Sequence, residues 1–133
     1  MVREKSSPPA ETRWVISMDW FTQNSRSFVS LLSSYLCTEC EKRLRGSKKE
    51  PTPQVLMATI KKCCAQEPDF VNQKTPVLES CFRVLLRNGN QPLTLQEMAA
   101  ELARLRSLDI STASPAALER ILKNDGYYGL TEV

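Results

Sequence analysis

Residues 76–130, PVLESCFRVLLRNGNQPLTLQEMAAELARLRSLDISTASPAALERILKNDGYYGL, carry helix starts, helix stops and a closing aromatic segment in a telling order. Thr75 is a candidate N-cap, and Pro76 suits the first helical position, where its missing N–H would have had no partner. Leu78, Cys81, Phe82, Leu85 and Leu86 then recur at the spacing of one helix face, and Asn88-Gly89 supplies the stop. After Pro92 a short extended piece at Leu93 leads into Thr94-Leu95-Gln96-Glu97. There the threonine and glutamate can satisfy each other's backbone N–H groups and open a second helix along Leu95, Met98, Ala99, Leu102 and Leu105. Ser107 to Ser114 is a polar loop. Ser114-Pro115 repeats the cap-plus-proline signal and starts a third helix with Leu118, Ile121 and Leu122 inward, ending at Asn124-Asp125-Gly126. Tyr127-Tyr128-Gly129-Leu130 then suits a strand after a tight turn.

Helix, short strand, helix, loop, helix, strand is the order of a winged helix-turn-helix. The run PLTLQEMAAEL, followed by SPAALERILKND and GYYGL, resembles the HARE-type helix-turn-helix family, a winged-helix variant of nuclease, RNA polymerase-associated and chromatin-associated proteins. The resemblance spans residues 76–130. It implies a nucleic-acid-associated, transcription-linked module. The sequence departs from the family in one place: only a residue or two separates the third helix from the aromatic strand, so any wing is very short.

The remainder of the chain bounds the architecture. At 133 residues, 41% hydrophobic and 25% charged, it can bury one ordinary core or two small helical units sharing an interface. Residues 1–17, with paired prolines, serines and scattered charges, read as a flexible tail in which Trp14, Val15 and Ile16 are available to dock. Residues 18–74 read as a helical hairpin. A long helix runs from Asp19 or Thr22 to Arg45, with Phe28, Leu31, Leu32, Tyr35, Leu36, Cys40 and Leu44 inward. After a loop, Thr52-Pro53 caps a second helix, with Val55, Leu56, Ile60, Cys63 and Cys64 as its apolar positions. The expected fold is therefore mainly α: this N-terminal hairpin packed on a winged-helix-like three-helix module with a short β-hairpin over residues 75–133. No apolar run approaches the roughly 20 residues of a membrane span, so no membrane association is expected. The opening residues lack the apolar core of a signal peptide, so the expected location is cytoplasmic.

The chain has five cysteines and no histidine. Without a secretory signal, reduced thiols or metal ligands are favoured over a disulfide framework. Cys37-Thr38-Glu39-Cys40 on a helix could aim two thiolates at one ion, and the next helix could bring Cys63 and Cys64 to the same place. Zinc or an iron–sulfur cluster is the cofactor such a set would hold, with Glu39 or Glu67 available to complete it. Cys40, Cys63, Cys64 and Cys81 sit on or beside apolar stripes, so buried structural thiols explain them at least as well, and a redox or disulfide role is the third reading.

Charge is uneven. Residues 1–50 hold nine basic and six acidic side chains, and residues 51–133 nine of each. Lys42, Arg43, Arg45, Lys48 and Lys49, with Lys61 and Lys62, form a basic group that reads either as a solvated face or as a phosphate-contacting surface. The third helix of the winged-helix-like module offers Ser114, Arg120 and Lys123 to a groove, with Glu119 and Asp125 opposing them. There is no histidine for a triad or proton shuttle and no glycine-rich phosphate loop, so a non-enzyme is expected. Two functions remain: DNA or RNA association, or a protein-interaction adaptor with Trp14, Trp20, Phe21, Tyr127 and Tyr128 as candidate anchors.

Overall fold

A computed structural model describes residues 12–46, 50–67, 69–72, 74–106 and 114–133. Within them the chain forms seven α-helices and one small antiparallel sheet. Strand β1 (Arg13–Ile16) is followed by α1 (Met18–Gln23), α2 (Phe28–Ser33), α3 (Thr38–Arg45) and α4 (Pro53–Lys62), which ends in a 3-10 turn at Cys64–Gln66. Helix α5 (Val77–Arg87), strand β2 (Leu93–Thr94), α6 (Leu95–Arg106), α7 (Pro115–Lys123) and strand β3 (Leu130–Glu132) complete the order. The longest helix has 12 residues, and among the described residues no helix is long and apolar enough to cross a membrane.

The second half follows its local signals closely. Thr94 N donates to Glu97 Oε1 at 2.8 Å and Glu97 N to Thr94 Oγ1 at 3.1 Å, the reciprocal capping box that opens α6. Ser114 Oγ accepts from Ala117 N at 3.2 Å to start α7 behind Pro115. Helix α5 begins one residue later than Thr75-Pro76 suggested, with Pro76 itself as the N-cap. Its face of Cys81, Phe82, Leu85 and Leu86 is buried to the last atom. The loop expected over 107–114 lies, except for Ser114, outside the described residues.

Three expectations are corrected. Residues 13–16 are not tail but the central strand of the sheet, whose order is β2-β1-β3. Trp14 and Ile16 alternate inward, Arg13 pairs with Thr94, and Ile16 pairs with Leu130. Asn90, at φ 60, reinforces this join by accepting from Ile16 N at 2.8 Å and donating to Ile16 O at 2.9 Å. The closing strand is likewise displaced. It covers residues 130–132 instead of 127–130 and, in place of a hairpin, pairs with β1 from the other end of the chain.

The long helix expected from Asp19 or Thr22 to Arg45 is three helices. The apolar period runs through the whole segment, but serines interrupt its backbone. Ser25 adopts a positive φ, the Ser27 hydroxyl caps α2 through Ser30 N, and the Ser34 hydroxyl turns back to Leu31 O at 2.6 Å. Helix α4 packs against α2 and α5, α5 against α6, and α6 against α7, around one continuous core that draws on both halves. Val55, expected inward on α4, is exposed.

Candidate metal centre

The break after α2 determines where the first cysteine pair goes. Glu39 and Glu41 lie in the first turn of α3, favourably placed against the positive end of its dipole, and Cys37 becomes the N-cap instead of a mid-helix residue. Cys40 sits one turn in and is buried. At the other side, α4 ends on basic Lys61 and Lys62, and Cys63 takes the C-cap with φ −123 and ψ −69. Cys64 opens the 3-10 turn. The start of one helix and the end of the next thereby face each other through four thiols.

The Sγ atoms of Cys37, Cys40, Cys63 and Cys64 all lie within 4.8 Å of one another, and together they could hold a metal ion. Cys37 and Cys63 are 3.6 Å apart at sulfur. Four sulfurs placed about 2.3 Å from one ion in a tetrahedron are about 3.8 Å from each other, so these positions need only small adjustments. Donors surround them: Cys37 N donates to Cys64 Sγ at 3.1 Å, and Arg43 Nη2 to Cys40 Sγ at 3.4 Å. Such donors orient thiolates and spread their charge. Neither Glu39 nor Glu67 belongs to the group.

The electrostatics single out one thiol. The Cys40 backbone N–H, with help from the Cys40 and Cys64 thiols, holds the Cys37 pKa down to about 7. Burial pushes Cys40 and Cys64 up, while hydrogen bonding to Cys40 and Cys37 pushes Cys63 up to about 11. One sulfur of the four ionises readily, and the others resist, Cys40 and Cys64 chiefly because they are buried and Cys63 chiefly through hydrogen bonding to its thiol neighbours; a bound cation favours the ionised form of all four. The fifth cysteine, Cys81, is separate: wholly buried in α5, its thiol is pushed up to about 12 by burial.

The other sequence-derived residues are more scattered. Lys42, Arg43 and Arg45 are exposed on α3, and Lys61 and Lys62 on α4. Arg43 also reaches the thiol cluster, a role its sequence position did not reveal, and Arg45 pairs with Glu41 at 2.8 Å. Lys48 and Lys49 lie outside the described residues. Arg120 and Lys123 are exposed on α7, Lys123 within 3.7 Å of Glu119, while the Ser114 hydroxyl is engaged in its cap. Helix α7 packs on α6 and β3, so it shares no extensive interface with α3. Of the five candidate anchors, Trp14 and Phe21 belong to the core, Trp20 and Tyr128 are partly buried, and Tyr127 is exposed. No family model, no curated protein and no solved structure matches the chain.

Proposed function

We propose that this chain is a small, non-catalytic, nucleic-acid-associated protein, winged-helix-like in its second half, whose first half is clipped by a single zinc ion on Cys37, Cys40, Cys63 and Cys64. The observation that carries the reading is the meeting of four thiols where α3 starts and α4 ends, with Lys42, Arg43, Arg45, Lys61 and Lys62 exposed on those two helices. Zinc suits an all-sulfur, tetrahedral set with no ligand position left for water, which is a structural and not a catalytic arrangement. An iron–sulfur cluster is disfavoured by the spacing. A four-iron cluster puts a separate iron behind each thiolate and a two-iron cluster divides the thiolates into two pairs, so either would spread some of the sulfurs well beyond the 4.8 Å within which all four lie here. The clip would hold two basic helices in a fixed relation, which lowers the ordering cost when they meet a phosphate backbone. The HARE-type resemblance adds the expectation that the setting is transcription-linked, with Arg120 and Lys123 of α7 as further contacts.

Two measurements on the purified protein test the reading. Elemental analysis after anaerobic purification is expected to give about one zinc per chain, and a value near zero removes the clip. A mobility-shift titration on duplex DNA and single-stranded RNA should show retention that weakens with salt, with a log–log slope on the order of −4 if four or five phosphates are neutralised. No retention at low salt removes the nucleic-acid reading. One observation favours an adaptor in that event: Tyr127 is 46% exposed and lies 3.7 Å beneath the Arg26 guanidinium, a pairing of the two residue types that most often anchor protein interfaces.

A further inference from the structure

The four thiols are chemically unequal, and the inequality gives the centre a direction. Cys40 and Cys64 are 1% and 2% exposed, whereas Cys37 is half-buried and Cys63 is open to solvent. The two accessible sulfurs are in contact with each other, at 3.6 Å. Both belong to helix-terminal residues, the N-cap of α3 and the C-cap of α4, where a small backbone adjustment breaks no run of helical hydrogen bonds. Closing them to the roughly 2 Å of a disulfide asks for little movement. The competing pairs are worse placed. Adjacent Cys63 and Cys64 have Cα atoms about 3.8 Å apart, below the range of roughly 4.4–6.8 Å that disulfides usually span. Cys40 and Cys64 are fixed in the core, Cys64 Sγ accepting from Cys37 N and Cys40 Sγ from Arg43 Nη2, so neither is as free as Cys63 to close on an oxidised Cys37.

We propose that the centre is a thiol switch in which a peroxide joins Cys37 to Cys63 and the metal ion is released; this rests on the metal reading above and adds its regulation. The Cys37 thiolate attacks the peroxide, the O–O bond breaks, and Cys37 becomes a sulfenic acid while water leaves with a solvent proton. The Cys63 thiolate then attacks that sulfur, forming the S–S bond and expelling hydroxide, which a second solvent proton turns into water. Two thiolates have lost two electrons and hydrogen peroxide has gained them. An ion left with two of its four ligands departs. The new bond ties the start of α3 to the end of α4 as the ion did, so the oxidised chain keeps its fold.

The test uses zinc-loaded protein, its metal content measured beforehand, titrated with hydrogen peroxide. Released zinc is read with a chromogenic chelator and disulfides by non-reducing peptide mass spectrometry. The expected result is one zinc released in step with one Cys37–Cys63 disulfide, Cys40 and Cys64 being alkylated only after denaturation. Cys63→Ser should abolish the disulfide and leave a sulfenic acid at Cys37 that dimedone traps. Zinc that stays bound, release accompanied by Cys37–Cys40 or Cys63–Cys64 bonds, or sulfinic acid without a disulfide overturns the switch while the metal reading stands. Protein that carries no zinc before peroxide is added overturns both.

Discussion

Cys40 and Cys81 make a matched pair for asking whether the thiol cluster binds a metal. Both are fully buried, at 1% and 0% exposure, and both sit on helices, but only Cys40 belongs to the cluster. Truncating either to alanine removes one buried sulfur, which costs roughly 1–2 kcal/mol from lost burial and an incompletely collapsed cavity. Cys40→Ala also removes one of four ligands. Groups that merely support metal ligands are worth 10–100-fold in affinity, so losing a ligand should cost at least about a hundredfold. In excess zinc, a hundredfold weaker ion contributes about 2.7 kcal/mol less to the folded state. Cys40→Ala is therefore expected to be about 2.7 kcal/mol worse than Cys81→Ala with zinc present, roughly 10 °C in Tm for a chain of this size. In a chelator the two variants should converge. Urea unfolding of wild type and both variants, in zinc and in chelator, measures the four differences needed. If the gap between the variants is the same in both buffers, Cys40 is an ordinary buried thiol and the metal reading is wrong.

The remaining predictions concern what holds the sheet and caps together. Gly129 has φ +68, and a Cβ there would come within 2.8 Å of Phe21 Cε2 and 3.2 Å of Ser17 O, so Gly129→Ala should lose about 2–4 kcal/mol by denaturant unfolding; a loss under 0.5 would refute the packing argument. Asn90→Ala gives up both hydrogen bonds to Ile16 while keeping an unfavourable φ of 60 and should cost about 2–3 kcal/mol, with Asn90→Gly about 1 kcal/mol milder because glycine tolerates the backbone. Equal losses in the two variants would show the strain to be unimportant. The Glu97 carboxyl is held below its ordinary pKa, chiefly by the Thr94 backbone N–H, so its stabilising contribution is present above the usual carboxylate range and fades as pH falls through the lowered value. At 52% exposure this amounts to a few tenths of a kcal/mol; Glu97→Gln should destabilise at pH 7 and match wild type near pH 2, and an equal deficit at both pH values would refute the assignment.

What could be read in the sequence and what could not divides along the range of the interactions. Thr94 with Glu97, Ser114 with Pro115 and Thr52 with Pro53 are signals completed within four residues, and each opens a helix where the sequence placed one. Strand β1 is different. Its partners, Thr94 and Leu130, lie about 80 and about 114 residues away, and three aromatic or β-branched residues after Arg13, beside a proline-containing segment, give no local sign of a central strand. The C-terminal strand is obscured for the same reason: its aromatic lead-in favours a hairpin, and its partner sits near the opposite end of the chain. In the first half the apolar period of 19–45 is real, and Phe28, Leu32 and Cys40 do face the core. Ser25, Ser27 and Ser34 compete for the same backbone, and in short helices a side-chain hydrogen bond wins locally without disturbing which residues are buried.

That competition also explains why a metal clip would fall in the first half and not the second. Helices α5, α6 and α7 have 11, 12 and 9 residues, side-chain caps on two of the three, and a continuous buried face, so each is supported along its own length and by its neighbours. Helices α1, α2 and α3 are shorter still, with 6, 6 and 8 residues, and α3 begins without a side-chain cap. Of its eight residues only Cys40 is buried. A helix with so little apolar contact gains from another fastening to stay in register with α4, and the four sulfurs sit where the start of α3 meets the end of α4. If the fastening is zinc, its removal should loosen α3 first, raising hydrogen exchange at Glu41 to Arg45 while α5 and α6 remain protected. Uniform loss of protection across all the helices would mean instead that the ion stabilises the whole core and that α3 has no special dependence on it.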